Sequence, residues 1–190
     1  MEVPFKEKNA EQKEPEAVRL KKLDLLDDFE NVEIKKLEAG DRKEVHRIMM
    51  KTLWEASEQQ VADVIKAGFS YGAYVERMLV GAGLAWQTHF DEERGAMDSG
   101  EPNALYMEDV ALLLAYEGKG IRKMLIDERE KAAGAAGFHY AIALISPDWK
   151  GGALEEMIRE RGNKTEKEYL GMGYSFARGK DGIFAIKKLV

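Results

Sequence analysis

The stretch that decides the fold runs from Met107 to Leu125: Met-Glu-Asp-Val-Ala-Leu-Leu-Leu-Ala-Tyr-Glu-Gly-Lys-Gly-Ile-Arg-Lys-Met-Leu. It begins within a strongly apolar segment, Ala104–Leu114, of the kind that forms a strand buried on both faces. A glycine turn follows at 118–120, and a helix is predicted from Ile121 to Ala136, with Ile121, Leu125, Ala132 and Ala136 as its apolar stripe. Phe138–Ile145 is a second apolar strand. A strand, a helix and another strand in this order predict a βαβ unit with two parallel strands.

The elements before this unit have clear boundary signals. Asn31–Lys36 alternates apolar and polar residues, which predicts a strand. We expect Asp41 and Ser57 to begin two helices as N-cap residues, the second ending at Gly68. Further predictions are a hairpin of Tyr71–Val75 and Met78–Trp86 joined at Glu76-Arg77, and then a polar loop at His89–Asn103.

After the βαβ unit, Gly151-Gly152 is expected to open a helix that continues to Arg161. Asn163 or Thr165 caps another helix to about Met172, and two strands follow at Tyr174–Phe176 and Ile183–Leu189. The predicted fold class is therefore α/β, with a mixed central sheet and flanking helices. The connector at 146–162 is long, and its amphipathic helix either packs on the domain, walls a site or forms a lid.

Length and composition exclude several classes of function. The chain has 190 residues, which is one domain plus some surplus, and it has no cysteine. Disulfides, thiolate metal sites and a cysteine nucleophile are thereby excluded. His46, His89 and His139 show no metal-ligand spacing, so no metal site is expected. The net charge of −6 disfavours a nucleic-acid partner.

We expect no membrane partner and a cytoplasmic location, because apolar runs reach only about six residues and no signal segment is visible. Residues 1–30 are predicted to be an N-terminal extension to a domain at 31–190. Within it, Val18–Phe29 predicts a short amphipathic helix, which must dock on its own domain or on a second subunit of a possible homodimer.

The turn at Gly118-Lys119-Gly120 has the features of a phosphate site. The first amides of a helix lack intrahelical partners and carry partial positive charge, and glycines let an anion approach the backbone. The alternative is a plain connection that needs positive φ angles. The turn has neither the third glycine of a dinucleotide fold nor the Gly-Lys-Ser/Thr of a P-loop.

The segment from Glu108 to Ile121 resembles the acetyl-CoA motif of GNAT acetyltransferases, especially polyamine-type members. There, a strand carrying Glu-Asp leads without a gap into a Tyr-Arg-Gly-Lys-Gly-Ile-Gly turn. Tyr169-Leu-Gly-Met-Gly173-Tyr174 is similar to a second family segment, and the element order over residues 31–190 agrees. The resemblance implies the acyl-CoA N-acyltransferase fold, with a partly splayed sheet, and direct acetyl transfer from acetyl-CoA, the acyl-donor cosubstrate, to a primary amine.

The resemblance also assigns roles to particular residues. Glu108 is the candidate base, with Asp109 second, and Tyr169 is the candidate acid for the CoA thiolate. The other reading of Tyr169 is a helix tyrosine with a solvated hydroxyl. The cofactor-binding candidates are the backbone at Val110, Ala111 and Leu112 and the turn residues Glu117, Gly118, Lys119, Gly120, Ile121 and Arg122.

Two residues depart from the family pattern. Glu117 adds negative charge beside the expected pyrophosphate, and Arg122 replaces a small residue. Arg122 either pairs with phosphate or blocks it. The alternative function is therefore a degenerate GNAT-fold protein with weak or no CoA binding that acts as an interaction or regulatory module. The acceptor is a small-molecule amine or a peptide, and Trp54, Glu55 and Phe69 are candidates to line its site.

Overall fold

The computed structural model describes residues 31–51, 56–146, 153–180 and 182–189, which fall within one compact unit, Asn31–Val190. The predicted N-terminal helix, Trp54, Glu55 and the opening at Gly151-Gly152 lie outside these ranges. The strands are β1 (Glu33–Lys36), β2 (Tyr71–Val75), β3 (Met78–Gly83), β4 (Ala85–Asp91), β5 (Ala96–Asp98), β6 (Ala104–Met107), β7 (Ala111–Leu112), β8 (Tyr140–Ser146), β9 (Ser175–Gly179) and β10 (Gly182–Lys188). The helices are α1 (Arg42–Lys51), α2 (Glu58–Lys66), α3 (Ile121–Ala135), α4 (Leu154–Arg161) and α5 (Lys164–Gly171).

The sheet is mixed and has two arms. One arm has the strand order β1-β2-β3-β7, and the other has the order β5-β4-β6-β8-β10-β9. The β6–β8 pair is parallel, which confirms the βαβ prediction, while the other recorded pairs are antiparallel. The predicted α/β class with a splayed sheet and flanking helices is confirmed.

Helices cover both faces of the first arm. Ala82 and Leu84 pack into the core beneath α1 and α2, with Val45, Ile48 and Val61. The alternate positions, Gly81 and Gly83, face α3, because a Cβ at Gly83 would lie 2.9 Å from Cζ of Arg129. Successive strand residues point to opposite faces, so this alternation places α3 opposite α1 and α2.

Several local predictions are confirmed. Ser57 accepts a hydrogen bond from the amide of Gln60 at 3.2 Å and caps α2. Glu76 and Arg77 form the hairpin turn with φ angles of 49° and 70°. Asn163, rather than Thr165, caps α5 and accepts from the amide of Glu166 at 2.9 Å.

Other boundaries were predicted wrongly. Asp41 does not cap α1: its carboxylate accepts the amide of Glu38, which is itself the cap of a preceding 3-10 turn. The expected loop at His89–Asn103 contains the end of β4 and all of β5. Its polar residues belong to an outer hairpin, where solvent exposure permits a polar sequence. Within the described residues, no helix is long and apolar enough to cross a membrane.

Candidate active site

The predicted strand Ala104–Leu114 is interrupted, and this break creates the site. Met107 pairs with Ala85 and Ala111 pairs with Ala82, so four residue steps on one strand face three on its partner. One extra residue opposite a shorter partner is a β-bulge, which bends the strand. After the bulge, β7 is hydrogen-bonded to β3, whereas β8 is hydrogen-bonded to β10. The sheet therefore opens between β7 and β8.

The bulge leaves one backbone amide directed toward the opening. Leu113 donates to the carbonyl of Val80 at 2.9 Å. Because antiparallel pairing alternates, Ala111 also faces β3 and the amide of Leu112 faces away from it. The amide of Val110 donates to Oδ1 of Asp109 at 2.8 Å. Of the three predicted backbone donors, the geometry therefore favours Leu112.

The glycine turn leads from this opening into α3. Gly118 and Gly120 have φ angles of 77° and 78°, and a Cβ at either position would meet only open space. Gly120 is the N-cap residue and provides no side-chain cap, so the first amides of α3 remain available to a ligand. Positive φ explains the glycines, and the open space in front of them fits the phosphate interpretation.

A pocket of about 390 Å³ joins the turn to the opening in the sheet. Six of the predicted cofactor-binding residues line it: Leu112, Glu117, Gly118, Gly120, Ile121 and Arg122. Val110, Ala111 and Lys119 are not among its lining residues. The structure thus brings together the two segments that the sequence predicted would bind one cofactor.

The charges of Glu117 and Arg122 are both offset within this pocket. Nζ of Lys164 lies 3.2 Å from the Glu117 carboxylate. Arg122 is paired with Asp109 and lies 3.3 Å from the carboxylate of Glu168, with only 14% of its side chain exposed. Its guanidinium is held by the carboxylates of Asp109 and Glu168.

Glu108 is half-buried at the bulge. Its carboxylate accepts from the amide of Asp109 at 3.3 Å and hydrogen-bonds to Tyr106. Burial nonetheless raises the pKa of Glu108 above its usual range, because desolvation penalises the charged form. Since Asp109 is tied to Arg122, Glu108 is the better placed of the two carboxylates to accept a proton.

Tyr169 lies on α5 and is 1% exposed, so its hydroxyl is not solvated as the alternative interpretation required. This hydroxyl has no hydrogen-bond partner in the described structure. It lines a cavity of about 100 Å³ with Asp109, Asn163, Thr165 and residues 143–145 of β8, which is the far side of the opening. Burial raises the pKa of Tyr169 to about 12, so it stays protonated near neutral pH.

A second pocket of about 390 Å³ lies between α2 and β4, and its walls include Val61, Val64, Leu84 and Trp86. The ring of Trp86 lies 4.6 Å from that of Tyr106, the partner of Glu108. Phe69 is not among the lining residues and packs against Phe138 at 5.4 Å.

No protein-family model matches the sequence, and no curated protein does. Solved structures match in fold. The loading GNATL domain of CurA from Lyngbya majuscula has a TM-score of 0.63 at 10% identity, with 84% of this chain and 98% of that chain covered. The GphF GNAT-like decarboxylase in complex with isobutyryl-CoA also has a TM-score of 0.63, at 15% identity over 83% and 100% of the two chains. The PaiA N-acetyltransferase from Thermoplasma acidophilum in complex with coenzyme A has a TM-score of 0.58 at 16% identity over 83% and 99%.

The chain has the GNAT fold. The expected resemblance is confirmed at the level of the fold. Sequence identities of 10% to 16% support no conclusion beyond the fold. Nothing in the neighbours singles out the polyamine-type members, so that part stays a prediction.

One buried residue of the site was missed by the sequence analysis. Arg129 on α3 is fully buried and contacts the backbone on both sides of the bulge. Its position four residues after Leu125 and eight after Ile121 places it on the apolar stripe of the helix. A charged residue among the apolar positions of this helix was the sequence signal that could have identified Arg129.

Proposed function

We propose that the chain is an N-acetyltransferase that moves an acetyl group directly from acetyl-CoA to a primary amine. The observation that carries this proposal is a single pocket lined by both Leu112 and the glycine turn of α3. In this proposal the turn amides hold the pyrophosphate, and Leu112 donates to the thioester carbonyl as negative charge develops on its oxygen.

The amine must first lose a proton, since an alkyl ammonium has a pKa near ~10. Glu108 accepts that proton, directly or through one water. The amine nitrogen then attacks the thioester carbon, the C–N bond forms and the C–S bond breaks. The sulfur leaves with the electron pair as a thiolate. The nitrogen gives up its second proton, which passes through water to the departing sulfur, so the products are the amide and the free CoA thiol.

Tyr169 is the proposed partner of that thiolate. Its raised pKa makes it a weaker acid than a thiol, whose pKa is near ~8.5. We therefore expect it to act first as a hydrogen-bond donor to the thiolate. An unpartnered buried hydroxyl supports this role, because binding would supply the missing acceptor.

The acceptor is proposed to enter from the pocket between α2 and β4. Five of its lining residues are apolar, while Gln60 and Asp63 are polar. Trp86 connects the pocket through Tyr106 to Glu108. This favours an amine with an apolar body, either a small molecule or a peptide end. An acyl-CoA reaction that takes no amine acceptor would leave this pocket unused.

The test is release of free CoA thiol from acetyl-CoA with a panel of apolar and polyamine acceptors. We expect turnover that depends on the amine and prefers the apolar acceptors. Thiol release that does not depend on any amine would indicate hydrolysis and overturn the transfer proposal. Absence of turnover together with absence of acetyl-CoA binding would favour the alternative, an interaction or regulatory module.

A further inference from the structure

Arg129 is an unusual residue in the core of this protein. Its side chain is 0% exposed, yet in the described residues no carboxylate hydrogen-bonds to its guanidinium. Burial of a cation without a paired anion is costly, and an apolar residue of similar volume is often more stabilising. Packing alone therefore does not account for an arginine at this position.

The contacts of Arg129 explain what it does. Nη1 donates to the carbonyl of Leu84 at 2.9 Å and to that of Glu108 at 2.7 Å. Leu84 is the residue between β3 and β4, and Glu108 is the first residue after β6. One nitrogen thus joins both strands at the point where the sheet divides.

The bulge creates a need for this donor. The carbonyl of Leu84 accepts a hydrogen bond from the amide of Glu108 at 3.0 Å. This is the last hydrogen bond between the two paired strands before the extra residue of the bulge. A buried carbonyl must find a donor, and a strand that bulges loses its regular ladder partners. Arg129 supplies the donor to the carbonyl of Glu108.

The neighbouring strand is shaped to admit this side chain. A Cβ at Gly83 would lie 2.9 Å from both Cζ and Nε of Arg129. The guanidinium therefore occupies space that any other residue at this position would fill. On its own helix, Nε of Arg129 donates to the carbonyl of Leu125 at 3.1 Å, which fixes the direction of the side chain.

We propose that Arg129 is a positioning residue: it holds the β6–β7 bulge by bridging Leu84 and Glu108, and so places the Glu108 carboxylate and the amide of Leu112. Its catalytic consequence rests on the proposed function, whereas its structural part does not. The guanidinium stays charged. It also places positive charge near Glu108, which is faced by Tyr106 from β6, Asp109 from the bulge and Tyr169 from α5.

The test compares Arg129→Met and Arg129→Lys with Lys131→Met, which removes an exposed charge from the same helix. The first readout is the titration of the Glu108 side chain by carbon NMR in substrate-free protein. Arg129→Met should raise the pKa of Glu108 and speed amide exchange at residues 108–110. Arg129→Lys should keep the Glu108 titration close to wild type, and Lys131→Met should leave both readouts unchanged.

Should Arg129→Met fail to fold, Arg129→Lys still tests the bridge. It keeps the positive charge but loses the geometry that spans both carbonyls, so amide exchange should rise.

The second readout is the pH profile of kcat/KM. Arg129→Met should lower kcat on the order of 100-fold, as misplacement of a catalytic group does, and should move the acidic limb to higher pH. A purely structural residue would change the amount of folded enzyme and leave that limb in place. Unchanged Glu108 titration and unchanged exchange would overturn the inference. A wild-type chain without turnover would refute the proposed function alone, because the NMR titration would still decide the role of Arg129.

Discussion

At the residue scale, two neighbouring tyrosines provide opposite predictions. Tyr169 has a buried hydroxyl without a partner, whereas Tyr174 donates to the carboxylate of Glu130 at 2.6 Å. Removal of an unpartnered hydroxyl relieves a desolvation cost, so Tyr169→Phe should stabilise the fold by about 1 kcal/mol. Tyr174→Phe should destabilise it by about 1.5–3 kcal/mol, since it breaks a hydrogen bond to a charged group.

Denaturant unfolding measures both stabilities, and turnover completes the comparison. Tyr169→Phe should lower kcat on the order of 100-fold, the usual contribution of a hydrogen-bond donor to developing negative charge, while acetyl-CoA still binds. A Tyr169→Phe variant that loses stability and keeps full turnover would show that the residue is structural.

Glu108 provides a prediction about pH. Burial raises its pKa, so the folded state holds this proton more tightly than the unfolded chain. The free energy of unfolding therefore falls as the pH rises from the pKa of Glu108 in the unfolded chain through its raised pKa in the folded state. Glu108→Gln should remove that penalty, giving a Tm at pH 7 at or above wild type, with kcat/KM strongly reduced. The exposed Glu101→Gln is the matched control and should change neither quantity. A lower Tm with normal activity in Glu108→Gln would contradict this role.

The sequence located Glu108, Tyr169 and the glycine turn because each sits in a short local pattern. It did not locate Arg129, whose importance depends on carbonyls 45 and 21 residues away. Its apolar stripe was also drawn one position off, since Ala133 is buried where Ala132 and Ala136 were expected. Hydrogen bonds at long range have no periodicity by which a sequence reveals them.

At the scale of the element, the informative feature is β7. Apolar residues fill Ala104–Leu114 except at Glu108 and Asp109, so the segment was predicted to be one strand, although the structure divides it into β6 and β7 at these two residues. Burial on both faces removes the alternation that would expose a change of register. The order of elements was predictable, because it depends on turn residues and periodicity, which are local.

The alternating amide directions in β7 predict different effects of proline at adjacent positions. Leu112→Pro removes an amide that faces the opening, so the pairing with β3 should survive. The fold should be retained, while the Kd of acetyl-CoA rises about tenfold and turnover falls on the order of 100-fold. Ala111→Pro removes an amide that pairs with β3 and should lower Tm much more. Equal binding by Leu112→Pro and wild type would show that this amide does not contact the cofactor.

At the scale of the whole molecule, charge is the relevant property. The chain carries a net charge of −6, which opposes the approach of a polyanion such as acetyl-CoA. The pocket beside the glycine turn offsets this locally, because Lys164 stands next to Glu117. Lys167 lies on the same helix but does not line the pocket. Lys164→Glu and Lys167→Glu therefore change the net charge of the chain by the same amount. Only Lys164→Glu changes the charge that lines the pocket.

The most direct test of the account is thermal denaturation with and without acetyl-CoA. At about 100 times its Kd, the cofactor should stabilise the wild-type fold by roughly 2.7 kcal/mol. Lys167→Glu should show the same shift, and Lys164→Glu should need a higher cofactor concentration to reach it. Absence of any shift in the wild type at millimolar acetyl-CoA would contradict the central claim that the opened sheet and the glycine turn form one acyl-CoA site.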